Sequence, residues 1–387
     1  MDYTYRSFKN SFSEKVFMDE DQNSFYINRK AQRFLEKTQM GFPFQIMDKI
    51  GMSYRNVVYK AIDNNRKLFL AVKFPQMNSA YIDPSAGDTL PGHQTESTRT
   101  AVLEGPDSMF DEARILRELQ GLPYIQQIWG WGTTPWPYVA TQYKKGISLS
   151  RFIALNSYLN NPTPLSDGVK IVKDMAQALS YAHDRGIVHR DVKPSNILVN
   201  PRTGESTLID FDAAMIINDS YELLIPSGGD IIGTPQYLPP EALRYGSEHI
   251  DHRADIFSLG LVLYDVMTGQ RRPFTSAFHI HELRQVVQSN LCLEPASTIN
   301  PFIEMDWDIV VAKSTKEDPR DRYASAEQFA NVLDDLLCEI RLKESLSPVC
   351  SIIRPGHADP RGIKESVVQG RVGDSPSQSL EILISAA

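Results

Sequence analysis

The sequence predicts an α+β chain on three observations. Strand-like runs crowd into the first part, helical stripes dominate from residue 165 onward, and the polar loop HRDVKPSNILVN opens into a strand-like run. The elements follow in order. From Phe44, FQIMDKIG leads into VVYKA and then KLFLAVKF, three β-like runs parted by a Gly-containing turn and by Asp63-Asn64-Asn65. Residues 76–108, rich in Ser, Thr, Gly, Pro and Asp, read as an inserted loop, and FDEARILREL reads as a helix carrying Glu112. YIQQIWGWGTTPWPYVATQY reads as a hairpin holding Trp129, Trp131 and Trp136. The period-two spacing of the first two predicts a shared, packed strand face and not a ligand cage.

Residues 165–185 place Val169, Val172, Met175, Ala176, Leu179 and Ala182 on one helical stripe that stops at Gly186. Further helices are expected over 252–268, 281–288, 306–312 and 325–340. Residues 1–43 form a polar extension with a short helix over 28–37. Residues 342–387, with scattered Pro, Ser and Gly, form a disordered tail in which LEILIS could dock as a strand or helix.

Bulk properties exclude several classes. A formal net charge of -8 without any basic block argues against nucleic acid as a partner. Cys292, Cys338 and Cys350 are widely spaced and lack a Cys-x-x-Cys pair, so neither a disulfide framework nor a zinc site is indicated, and a cytoplasmic setting fits. No apolar stretch reaches the length of a membrane span.

The loop carries the chemistry. Asp191 can accept a hydrogen bond from an attacking hydroxyl, Lys193 adds a cation, and Asn196 with Asp210 offers hard oxygen ligands for Mg2+ that neutralises charge on phosphates. Walking outward, Ala71-Val72-Lys73 lies on a strand-like run, Glu112 on a helix, and GTPQYLPPE, ADIFSLGLVLYDVMTG and DPRDRY follow downstream. In this order the motifs resemble the protein kinase superfamily, and its Ser/Thr branch in particular, through Lys193 and Gly233-Thr234.

That resemblance implies a two-lobed kinase-like fold: a small β-rich lobe (44–142, insertion 76–108) with one major helix, and a larger, mostly helical lobe (143–341). It implies ATP as co-substrate and proteins bearing Ser or Thr as partners. Lys73 would bind the α- and β-phosphates and pair with Glu112. Ile50, Gly51, Ser53, Val58, Ala71, Thr141, Gln142, Tyr143 and Leu198 would contact the nucleotide, and Arg322 would pair with Glu241. Arg190 suits a phosphate on the activation segment, with Ser227 the chosen acceptor and Thr234 instead orienting Asp191 and Lys193. Alternatively, Asp212, Asp219, Glu222 or Asp230 already supplies the charge.

Two departures stand out. The glycine-rich loop reads Gly51, Ser53 and Asn56, with Ser53 expected near the γ-phosphate and Asn56 expected to tolerate the left-handed backbone that glycine would adopt. The metal motif reads Asp210-Phe211-Asp212 where the family has glycine last. These departures leave open a pseudokinase that binds nucleotide or acts as a scaffold. A small-molecule phosphotransferase would lack GTPQYLPPE. His279 and His281 read as surface histidines.

Overall fold

The computed structural model describes residues 42–53, 56–75, 106–133, 136–158, 165–217, 232–246, 250–269, 293–300 and 303–346. The expectations for residues 1–41 and 76–105, for Ser227, the helix over 281–288, His279, His281, Cys292 and Cys350, and for residues 347–387 lie outside these residues, whereas 342–346, expected in the disordered tail, continue the last helix, which runs to Leu346. The chain divides into two compact units, 1–117 with 127–143, and 118–126 with 144–387. The second unit therefore takes in 118–126, which adjoins the strand-bearing stretch in sequence. Its reason is local: Leu208 N donates to Tyr124 O, Gln126 N donates to Leu208 O, and Ile125 bridges Leu208.

In the first unit, β1 (Gln45–Met52), β2 (Asn56–Asp63), β3 (Leu68–Pro75), β4 (Ile128–Gly132) and β5 (Tyr138–Gln142) form one antiparallel sheet in the order β1-β2-β3-β5-β4. Alternation sorts the side chains by face. Val57, Tyr59, Ala61, Leu70, Val72, Phe74, Tyr138 and Ala140 make one buried cluster with Phe44, and Phe42, Trp129 and Trp136 pack against it. Helix α1 (Pro106–Glu118) begins three residues inside the stretch expected as loop. Proline's fixed φ favours the first helical position, which accounts for the early start.

The shared tryptophan face does not form. A register shift between Ile128 and Gly130 inserts Trp129 as an extra residue, and that reverses the alternation beyond it. Trp129 packs on the Phe44 cluster, whereas Trp131, opposite Val139, is 42% exposed beneath the Arg117 guanidinium.

The second unit is mostly helical. After β6 (Ile147–Ser148) and α2 (Leu149–Tyr158), α3 (Leu165–His183) buries the whole predicted stripe, and Gly186 stops it with φ 69°. Short strands β7 (Ile187–Val188), β8 (Ile197–Val199), β9 (Ser206–Leu208) and β10 (Met215–Ile216) frame the loop region. Then come α4 (Pro240–Tyr245), α5 (Arg253–Thr268), α6 (Ala296–Ile299), α7 (Met305–Ser314) and α8 (Ala326–Leu346).

Helix α5 is buried nearly all round and lies in the core, with α3 and α7 against it. Gly260 permits the α7 approach, since a Cβ there would stand 2.2 Å from Ser314 Oγ. Among the described residues, no helix is long and apolar enough to cross a membrane.

Candidate active site

Pairing within the first unit collects several predicted side chains on one sheet face. Val58 lies opposite Lys73 and Ala71 opposite Thr141, and all four share a face by alternation. Lys73 Nζ donates to Glu112 Oε1 at 2.9 Å, which sets α1 on that same face. Glu112 is 2% exposed, and a carboxylate buried to that degree needs such a cation. Thr141 Oγ1 donates to Ala71 O at 3.3 Å, Gln142 N to Gln127 O at 2.8 Å and Tyr143 N to Phe69 O at 3.0 Å, so the end of β5 stays tied to its neighbours. Ile50 projects from β1 and is 45% exposed.

The Gly51 to Asn56 turn departs from expectation. Asn56 opens β2 and is absent from the described residues with positive φ, so no left-handed residue is needed there. Ser53 replaces that requirement with side-chain bonding: Asn56 N donates to Ser53 Oγ at 3.1 Å and Ser53 N donates to Asn56 O at 2.7 Å. Its hydroxyl is thus engaged inside the turn.

In the second unit the loop converges on one carboxylate. Asp191 Oδ1 accepts from Thr234 N at 2.9 Å and Thr234 Oγ1 at 2.7 Å. Oδ2 accepts from Lys193 Nζ at 2.7 Å and Asn196 Nδ2 at 3.0 Å. Lys193 also donates to the Thr234 hydroxyl. Asn196 Nδ2 further donates to Asp191 O at 2.9 Å, which fixes the amide and leaves its Oδ1 as a hard oxygen donor. Asp210, the other oxygen ligand predicted, takes φ 67°, and its N–H donates to Gln126 Oε1 at 3.2 Å. These donors fit a magnesium ion in chemical type. Leu198 lies on β8 in this unit.

Sequence reading missed what holds the loop. Asp255, fully buried in the first turn of α5, accepts from His189 N at 2.8 Å, Arg190 N at 2.9 Å and His183 Nε2 at 2.9 Å. Burial alone would raise its pKa. The bond and charge of His183, with His189, outweigh that and hold it below the usual carboxylate range. Arg190 takes φ 64°, and its Nε donates to Ala213 O. Burial pushes this guanidinium down to about 10, opposed by Asp255, and it remains charged at neutral pH.

The same helix reaches the Thr234 turn. Ser258 Oγ donates to Tyr237 O at 2.8 Å and Tyr237 OH donates to Asp265 Oδ2 at 2.7 Å. Gly233, at φ 112°, brings Thr234 in so closely that a Cβ would stand 2.6 Å from Arg190 O. The only sequence signal for Asp255, Ser258 and Asp265 is that they are polar positions in a helix otherwise too apolar to face water. Arg322 meets Glu241 through two 2.7 Å bonds, the ion pair anticipated from the motifs.

A family model for the protein kinase domain matches residues 44–337, most of the chain. The chain belongs to the protein kinase family. It is similar to the probable serine/threonine-protein kinase PknB of Bifidobacterium longum, at 36% identity over 193 residues, 50% of this chain and 26% of the relative. It is also similar to serine/threonine-protein kinase PknB of Mycobacterium leprae, at 35% over 195 residues, 50% of this chain and 29% of the relative. Serine/threonine-protein kinase pkn3 of Myxococcus xanthus matches at 34% over 218 residues, 54% of this chain and 38% of the relative. The chain therefore spans well under half the length of these relatives.

Proposed function

We propose that this protein is a serine/threonine kinase that moves the γ-phosphoryl group of ATP to protein hydroxyls, with its kinase domain over residues 44–341. The observation that carries this reading is the Asp191 carboxylate, held by Thr234, Lys193 and Asn196 in the order the motifs require. Relatives named as serine/threonine-protein kinases support the hydroxyl class.

Asp191 orients the acceptor hydroxyl for in-line attack and takes its proton as the new O–P bond forms and the bond from the γ-phosphorus to the β-phosphate oxygen breaks, releasing ADP. Each carboxylate oxygen already accepts two bonds, so an incoming hydroxyl replaces one donor. Lys193 is the donor on the more flexible stem, and on release its ammonium turns to the transferring phosphoryl group. Lys73, fixed by Glu112, holds the α- and β-phosphates, while Val58, Ala71 and Leu198 contact the adenine. Ile50, Gly51, Ser53, Thr141, Gln142 and Tyr143 complete the nucleotide contacts. Asn196 Oδ1 and the Asp210 carboxylate would hold Mg2+, which neutralises phosphate charge when bound. Phosphorylation at Ser227, received by Arg190, is the proposed control, and a cytoplasmic location completes the reading.

Radiolabelled ATP with a generic Ser/Thr protein acceptor tests it. Wild type is expected to transfer label and to be thermally stabilised by Mg-ATP, and Asp191→Asn to lose transfer while keeping that stabilisation. Transfer that persists in Asp191→Asn or in Lys73→Met would refute the site. Nucleotide binding by wild type with no transfer would leave a binding module and not an enzyme.

A further inference from the structure

From Leu119 to Ser166 the sequence contains no Asp or Glu, although the chain carries 48 of them. The only Lys or Arg residues in that stretch are Lys144, Lys145 and Arg151, all in the second unit. Elsewhere in that unit Lys170, Lys173, Arg244, Arg253, Arg320 and Arg322 each meet a carboxylate. Among the described residues, the side chains of Lys144, Lys145 and Arg151 meet none. Lys145 and Arg151 are exposed and Lys144 is half-buried.

The fold sets these cations beside the catalytic loop. Strand β6 pairs with β8 through Ile147 with Val199 and Ser148 with Leu198, and Gly146 comes so near that a Cβ would stand 2.6 Å from Val199 O. Helix α2 follows at once and packs on residues 194–196, the turn whose Asn196 donates to Asp191 Oδ2 at 3.0 Å. Ser148 Oγ accepts from Arg151 N at 3.3 Å, which closes the first turn of α2, and that turn carries no acidic residue. Leu155, one turn beyond Arg151, is 38% exposed, so the same side of the helix presents a cation and then an apolar side chain.

Such a surface suits one kind of partner. A net charge of -8 repels an acidic segment from the protein as a whole, so a local group of unmatched cations decides whether one can approach Asp191. Leu155 adds contact that a protein chain can use and a bare anion cannot. Resting on the kinase reading above, we propose that β6 and α2 form the substrate-docking surface, and that Lys144, Lys145 and Arg151 select acceptor segments bearing Asp or Glu near the reacting Ser or Thr. Substrate carboxylates pair with the three cations, and an adjoining apolar residue rests on Leu155.

The test uses the full chain with radiolabelled Mg-ATP and serine peptides of one length whose flanking residues are Glu, Gln or Lys. Wild type is expected to favour the Glu peptide over the Lys peptide about 10-fold in kcat/KM, the scale that three screened ion pairs permit, and salt at about 0.5 M should shrink that ratio. Lys144→Glu with Lys145→Glu and Arg151→Glu should reverse the preference while the Gln peptide is turned over as before. The milder Lys144→Gln, Lys145→Gln, Arg151→Gln variant should abolish it, with Tm and stabilisation by Mg-ATP matching wild type. A wild-type ratio below about 2, or a ratio unchanged in the variants, overturns the proposal and leaves the kinase reading standing. Transfer neither to any peptide nor to a generic protein acceptor would refute the kinase reading itself, and the proposal with it. A salt-sensitive dimer that the Gln variant loses, with peptide choice unaltered, would give the surface to a second copy and overturn the proposal as well.

Discussion

Asp191 is surrounded by donors that differ in what they can give up. The Thr234 backbone N–H is fixed by its turn, the Asn196 amide is fixed by a second bond to Asp191 O, and Lys193 alone sits on a long flexible stem. Losing a hydrogen bond to a charged group costs about 1.5–3 kcal/mol, so Thr234→Ala is expected to lower kcat roughly 10–100-fold. Thr234→Ser, which retains the hydroxyl, should recover most of it, and steady-state assays with matched KM for ATP check this. If alanine and serine variants behave alike, the hydroxyl is not what orients the carboxylate.

At the scale of elements, the buried Glu241–Arg322 pair ties α4 to the turn before α8. Arg322 is 4% and Glu241 9% exposed, and Arg322 also donates to Lys316 O, Arg253 O and Glu317 O. Removing one partner of a buried pair leaves the other charge uncompensated, at about 3–5 kcal/mol. Arg322→Leu is expected to lose stability of that order in denaturant melts. Arg322→Lys should rescue little, because one ammonium cannot reproduce the bidentate fork. A smaller loss than about 1 kcal/mol in Arg322→Leu would place the weight of this junction on packing instead.

For the whole molecule, histidine partners set the acid end of the pH profile and burial the alkaline end. Asp255 titrates below the usual carboxylate range in the folded state. Its contribution is therefore present above the unfolded value of about 4 and is lost as pH falls through the lower folded value. Asp255→Asn should be destabilised at neutral pH and show a flatter acid limb than wild type in denaturant midpoints measured against pH. At the other end, burial pushes the Tyr323 hydroxyl up to about 12. The unfolded chain ionises this group near pH 10 while the folded chain does not, so stability is expected to fall between about 10 and 12. Tyr323→Phe should flatten that limb, followed by phenolate absorbance and melting together.

Legibility in the sequence tracked how local each cause is. The α3 stripe, the three leading strands and the polar loop rest on period and spacing, and they lie where the sequence places them. Lys73 with Glu112, and Arg322 with Glu241, were legible because ordered motifs stand in for distance. Trp131 went to the wrong face because one extra residue at Trp129 reverses every later side chain, and composition carries no mark of a bulge. Asn56 was read as able to tolerate a left-handed backbone, and instead it opens β2 while its N–H donates to Ser53 Oγ. The sequence by itself determined the α+β class, the family and the residues of the loop, since each follows from residue type at fixed offset. Only the tertiary structure decided what holds them. Asp255, Ser258 and Asp265 act from a helix distant in sequence, and their bonds to His189, Arg190 and Tyr237 form because a buried polar group must find a partner wherever the fold brings one.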